Sequence, residues 1–109
     1  MQGFDPIVAN PGRLRILTAL AAEPSQPFVY LRGKTGLTDG NLATHVRRLA
    51  GAGLIAVQKE LAGGKPLTTL HLTKRGREAL SEHVDRVISA MRPSSEVVAI
   101  ADTDDDWVD

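Results

Sequence analysis

The segment that decides the fold runs from Leu37 to Ile55 and reads LTDGNLATHVRRLAGAGLI. A Thr-Asp pair can cap a helix at its start, and the Gly-Ala-Gly that follows can end it. The apolar side chains share one face, within about 60° of one another on a helical wheel: Leu42, Val46 and Leu49. The opposite face is polar and basic and carries Gly40, Asn41, Thr44, Arg47 and Arg48, with His45 at its margin. The segment therefore predicts an amphipathic helix over about 38–50 with hydrogen-bonding and cationic side chains exposed.

Two predicted helices precede this one. The first begins at Asn10-Pro11, an N-cap followed by a proline at the first helical position, and its apolar spacing continues to Ala22. The proline-containing segment that follows breaks this helix, because proline cannot continue it. A shorter helix is predicted over 28–35, closed by a glycine in the position of a left-handed C-cap. Only about three residues separate it from the helix over 38–50, and this spacing indicates a helix-turn-helix.

A predicted β-hairpin and a last helix follow. Residues 54–61 and 67–72 mix β-branched and polar side chains in the manner of strands. The AGGKP segment between them predicts a turn, because paired glycines accept positive φ. Thr73 is a suitable N-cap for a helix over about 74–91. The predicted order is α-α-α-β-β-α, a mainly α chain with a small β-hairpin, folded as one domain over 1–92.

Composition excludes several classes of function. The 109 residues include no cysteine, so disulfides, thiolate metal sites and thiol redox sensing are excluded. Three scattered histidines without carboxylates at ligand spacing do not indicate a metal site. With no legible catalytic constellation or phosphate-binding loop, neither a cofactor nor an enzyme is predicted. No apolar run approaches the ~20 residues that span a bilayer, and no signal-peptide pattern is present, so a cytoplasmic protein is expected.

The net charge of zero is distributed unevenly. Residues 1–92 hold all 13 Lys and Arg but only seven acidic residues, a net charge of +6, whereas residues 93–109 carry −6. A basic body suggests a polyanionic partner, although charge that only maintains solubility explains the pattern equally well. The last 17 residues lack apolar periodicity, so they are predicted to form a disordered acidic tail.

From Asn10 to about Leu80 the chain resembles the winged-helix transcriptional regulators, close to the MarR and ArsR types. The motifs that carry the resemblance are RLRIL at 13–17, LTDGNLATHV at 37–46, Leu49 with AGLI at 52–55, KPLTT at 65–69 and LTKRGR at 72–77. The resemblance covers roughly two-thirds of the chain. It implies a homodimer that binds operator DNA, with the third predicted helix in the major groove and the hairpin wing on an adjacent groove or the backbone.

The exposed face of the helix over 38–50 supplies candidates for base contacts: Asn41, Thr44, His45 and Arg48. Arginine pairs bidentately with guanine and asparagine with adenine, while threonine meets the thymine methyl group. Candidates for backbone contacts, which position the protein without specifying sequence, are Thr38, Gly40, Arg47, Arg32, Lys34, Lys59 and Lys65. The predicted function is a sequence-specific regulator that binds double-stranded DNA, with the wing at 59–67. The alternative for these residues is the solvated face of an ordinary surface helix.

The distal half of the last helix is predicted to dimerise rather than to complete the core. With the apolar residues near the N-terminus, the predicted dimer interface comprises Phe4, Ile7, Val8, Val84, Val87, Ile88 and Met91. Predicted partners are a pseudo-palindromic operator, a second copy and a small-molecule effector of unknown identity. A winged-helix protein–protein module without base readout is the alternative, and RNA is disfavoured because the basic face lacks stacking aromatics.

Overall fold

A computed structural model of the chain describes residues 4–92. The elements follow in the order α1 (Pro6–Ala9), α2 (Pro11–Ala22), β1 (Ser25–Pro27), α3 (Phe28–Thr35), α4 (Asp39–Gly51), β2 (Ile55–Ala62), β3 (Lys65–Leu72) and α5 (Lys74–Met91). The predicted mainly α fold with a β-hairpin is confirmed, with the short elements α1 and β1 added to the predicted order. Within the described part of the chain, no helix is long and apolar enough to cross a membrane. The predicted acidic tail lies outside the described residues.

The helices begin and end where local chemistry satisfies their free backbone groups. The Asn10 side chain accepts hydrogen bonds from the backbone N–H groups of Gly12 and Arg13 at 3.0 and 3.1 Å. Thr38 caps α4 in the same way, and α3 ends at Gly36, whose φ of 72° is left-handed. These contacts explain why the capping residues in the sequence predict where the helices begin and end.

The sheet has three antiparallel strands in the order β1-β3-β2. The prediction that residues 23–27 only break a helix is therefore incomplete, because three of them pair with β3. The long hairpin turns at Gly63 and Gly64, whose φ values of 60° and 81° suit a two-residue turn that needs positive φ twice. The turn is thus shorter than predicted, and each wing strand is eight residues long.

One apolar core joins the helices to the base of the wing. Its members come from every helix, from β2 and β3 and from the residue that precedes β2: Val8, Ile16, Leu17, Leu20, Leu31, Leu42, Val46, Leu49, Leu54, Ile55, Leu70 and Leu80. The predicted apolar face of α4 is thereby confirmed. The prediction of Val8 at a dimer interface is wrong, because its side chain is fully buried in this core. Burial of α4 along one side leaves its other side to face outward.

Candidate nucleic-acid interface

Three of the predicted base-contact residues lie together on the exposed face of α4. Asn41, Thr44 and Arg48 are all exposed, and their spacings of three and four place them along one side of the helix. The Thr44 hydroxyl donates to the Gly40 carbonyl at 2.9 Å, which turns its hydrogen inward. Arg47 approaches from the flank, with its Nη2 donating to Thr44 Oγ1 at 3.4 Å. The face thus presents an amide, a methyl group and a guanidinium in one row.

His45 does not join that row. Its half-buried ring faces the start of α2, where Arg13 Nη1 lies 3.3 Å from His45 Nδ1. Because a guanidinium only donates, Nδ1 must accept, and this requires a neutral imidazole. Burial, and secondarily the Arg13 charge, lowers the pKa of His45 below its usual value of 6.5. A Cβ at Gly12 would lie 2.6 Å from His45 Nε2, so the glycine is what lets the ring approach α2.

Arg13 is the residue that sequence reasoning missed at this junction. Its Nε donates to the Ile7 carbonyl at 2.6 Å and its Nη2 to the Pro6 carbonyl at 3.2 Å. The same guanidinium therefore contacts the first two residues of α1 and the ring of His45 on α4. The sequence gives no signal for these contacts, because His45 lies 32 residues away along the chain.

Two predicted phosphate contacts are already engaged within the fold. Arg32 Nη1 lies 2.9 and 3.2 Å from the two carboxylate oxygens of Asp39. Lys34 Nζ donates to Glu23 at 3.2 Å and to the Gln26 side-chain oxygen at 2.8 Å. Both pairs are exposed, so each is weak and screened by salt.

Other predicted backbone contacts stand at the edges of α4 and on the wing. The Thr38 hydroxyl is occupied as the cap of α4, where it accepts from the Asn41 N–H at 3.2 Å. Gly40 is exposed, and a Cβ there would meet nothing within 4 Å. Lys65 follows the turn directly, opposite Ala62, and Lys59 lies opposite Thr68 on the wing. The wing thus carries one cation at its tip and one midway along it.

A groove with a volume of about 840 Å³ lies between α4 and the wing. We call it the α4–wing groove, and its lining residues are Phe28, Ala43, Val46, Arg47, Ala50, Val57, Lys59 and Thr68. Most of this lining is apolar, with Arg47 and Lys59 as its two cations. Sequence reasoning assigned both cations to DNA but did not predict the groove, because its walls come from four separate elements.

The predicted dimer residues divide into exposed and covered ones. Phe4, Val84, Ile88 and Met91 are exposed, by 46, 44, 49 and 77% respectively. Val87 is half-buried, and Ile7 packs against the core. The Phe4 ring lies 5.4 Å from the ring of His83, centroid to centroid. An apolar strip therefore runs along the distal half of α5 beside Phe4.

Comparisons with known proteins agree with this geometry. A family model described as a winged helix DNA-binding domain matches residues 13–91. An uncharacterized protein of Methanocaldococcus jannaschii is 32% identical over 88 residues, which cover 81% of this chain and 91% of that protein. The structure of a transcriptional regulator homologue protein from Pyrococcus horikoshii is also 32% identical in sequence, with a TM-score of 0.70 over 82% of this chain and 91% of that one.

A more distant structure extends the likeness of fold. A MarR-family transcriptional regulator from Silicibacter pomeroyi is 18% identical, with a TM-score of 0.57 over 92% of this chain and 71% of that chain. At 18% sequence identity, this similarity shows a shared fold and nothing further. With the helix-turn-helix, the wing and the family match over 13–91 together, the chain belongs to the winged helix DNA-binding domain family, with a MarR-like fold.

Proposed function

We propose that the chain is a homodimeric transcriptional regulator that binds double-stranded DNA in a sequence-specific manner, with α4 in the major groove. The observation that carries this proposal is the exposed row Asn41, Thr44 and Arg48 on a helix whose other side is anchored in the core. A helix held in this way can enter the groove without losing its packing. We propose the cytoplasm as its location on the ground of this function, because a regulator must reach its operator.

The chemistry of the row assigns a role to each side chain. Arg48 can pair with guanine O6 and N7, and Asn41 with adenine N6 and N7. Because the Thr44 hydroxyl already donates to Gly40, its methyl group is the part suited to a thymine methyl. His45 is left out of this proposal, since its ring is held by Arg13.

The remaining cations would position the protein on the duplex. Arg47, Lys59 and Lys65 are the proposed phosphate contacts, together with the backbone N–H groups around Thr38 and Gly40 at the start of α4. Arg32 and Lys34 would have to exchange an intramolecular carboxylate for a phosphate. We therefore assign them a smaller part in binding.

Dimerisation through the strip on α5 would give the protein two reading helices. Val84, Ile88 and Met91 recur at spacings of four and three, and Phe4 lies beside them. A two-fold dimer would place its α4 helices in successive major grooves about 34–36 Å apart, on a pseudo-palindromic operator. The small-molecule effector stays a prediction.

Fluorescence anisotropy with DNA from upstream of the gene, across a salt series, tests the proposal. Arg48→Ala should weaken binding to the preferred site by about 1–3 kcal/mol and relax specificity there, because a base contact is lost. Lys65→Ala should weaken binding on all sequences alike and reduce the salt slope by about one, because only a phosphate contact is lost. Binding without sequence preference, no tighter than the non-specific ~10⁻⁴–10⁻⁶ M range, would favour the protein–protein module instead.

A further inference from the structure

The α4–wing groove offers an apolar surface between two cations. Val57, which is 38% exposed, and Phe28, which is half-buried, both line it. Arg47 and Lys59 line the same groove. Among residues 4–92 the ion pairs are Arg32–Asp39 and Lys34–Glu23, so neither groove cation has a carboxylate partner there. A suitable occupant would combine a large apolar group with adjacent negative charges.

The chain itself contains such a segment. Residues 102–109 read DTDDDWVD, in which the only tryptophan of the protein follows three consecutive aspartates. We propose that this segment binds in the α4–wing groove, with Trp107 against the apolar lining and the aspartates facing Arg47 and Lys59. Where the proposed DNA-binding function holds, the bound segment occupies two phosphate contacts and competes with DNA.

The chemistry of the two surfaces is complementary. A tryptophan side chain buries about 150–250 Å², and a groove of about 840 Å³ has room for one indole and its neighbours. Carboxylate contacts to Arg47 and Lys59 are charge-assisted, and therefore stronger than neutral hydrogen bonds. The opposite net charges of the body and the last 17 residues, +6 and −6, favour this encounter over long distances.

The connecting segment is long enough. From the end of α5, the chain must return along a helix of 18 residues, a length of about 27 Å. It must then follow the wing from the Ile55–Leu72 pair to the Lys59–Thr68 pair, about 14 Å further. The 15 residues from Arg92 to Trp107 span up to about 50 Å when extended, which exceeds the sum of those two distances.

Tethering gives a weak contact a measurable effect. A tail at an effective concentration of about 1 mM, with an intrinsic Kd of about 0.1 mM, would occupy the groove in about ten of every eleven molecules. Competition of this kind would weaken DNA binding about tenfold. Since the contact depends on charge, added salt should release the tail as well as weaken the DNA complex.

The fluorescence of Trp107 tests docking without any DNA. We expect Trp107 in the full chain to emit at a shorter wavelength than in a free peptide of residues 102–109. We also expect acrylamide to quench its fluorescence less in the full chain than in the peptide. Lys59→Ala should shift both readouts towards those of the peptide, whereas Lys74→Ala removes a cation outside the groove lining and should leave them unchanged. Emission identical to that of the peptide, or equal effects of the two substitutions, would overturn the proposal.

A second measurement tests the competition. Removal of residues 93–109 should tighten DNA binding about tenfold, and Trp107→Ser should reproduce most of that gain although it keeps every charge. If truncation tightens binding but Trp107→Ser does not, long-range repulsion accounts for the effect and docking in the groove is refuted. If no form of the protein prefers any DNA sequence, the proposed function fails while the fluorescence result still decides whether the tail docks.

Discussion

Replacement of Gly76 by alanine should destabilise the protein, although alanine is the better helix former. Gly76 lies in the first turn of α5, buried against the base of the wing. A Cβ at this position would lie 1.9 Å from the Leu54 carbonyl oxygen and 2.9 Å from a methyl group of Leu72. Even a tight contact needs about 3 Å, so α5 and the backbone at Leu54 must separate by more than 1 Å.

The cost can be worked out from the contacts at this junction. Thr73 Oγ1 accepts from the Gly76 N–H at 2.9 Å and donates to the Gly53 carbonyl at 2.7 Å, so the displacement strains the cap as well as the packing. Overpacking costs about 1–3 kcal/mol, and a weakened cap up to about 1 kcal/mol. The better helix propensity of alanine returns up to about 1 kcal/mol. We expect a net loss of about 2 kcal/mol, a fall in Tm of about 10 °C for a domain of this size.

Urea and thermal unfolding followed by circular dichroism measure this loss. Gly33→Ala is the matched control, because Gly33 lies inside α3 and a Cβ there would meet nothing within 4 Å. That substitution should stabilise the protein by about 0.5–1 kcal/mol. A Gly76→Ala protein as stable as the wild type, or stabilised as much as Gly33→Ala, would refute the close approach of α5 to Leu54.

Two further predictions concern His45 and the strip on α5. Burial, and secondarily the Arg13 charge, places the folded-state pKa of His45 below its unfolded value of about 6.5, so the unfolded chain binds more protons and stability should fall as the pH drops below about 6.5. His45→Gln should flatten this part of the stability profile in urea titrations. An unchanged slope would contradict the burial of the ring beside Arg13. Ile88→Asp should halve the molar mass measured by light scattering, because it places a charge in the proposed dimer interface. The control Asp85→Asn, on the same helix, should leave the molar mass unchanged. Equal masses for both variants would exclude the α5 strip from the interface.

The long helices could be predicted from sequence because their signals are local. A capping side chain, a proline at the first position and a glycine at the end each act within one turn, so α2, α3 and α5 have the predicted bounds. The short helix α1 carries the same signal, since Asp5 accepts from the Ile7 N–H at 2.9 Å and Pro6 begins the helix. It was missed because only four residues follow this cap.

The strand β1 could not be predicted because its stability is tertiary. Ser25–Pro27 contains a proline and shows no alternation, yet it pairs with β3 at the edge of the sheet, where a missing N–H is tolerated. Gln26 becomes fully buried there, and its Nε2 donates to the carbonyls of Ala19 and Glu23 at 2.8 and 2.6 Å. Lys34 completes the set by donating to the Gln26 oxygen. A candidate phosphate ligand in the sequence is thus a partner of a buried amide in the fold.

The position of Arg13 joins the two surfaces that the proposed function requires. Through the carbonyls of Pro6 and Ile7 it holds α1, which begins two residues after the exposed Phe4 of the proposed dimer strip. Through His45 it holds α4, whose exposed face is proposed to read bases. In the proposed dimer this link would fix the direction of α4 relative to the partner subunit, and the spacing of the two half-sites would depend on that direction. In the proposed complex, the contact between Arg13 and His45 would set the direction of α4, while the row Asn41, Thr44 and Arg48 would determine which bases the helix reads.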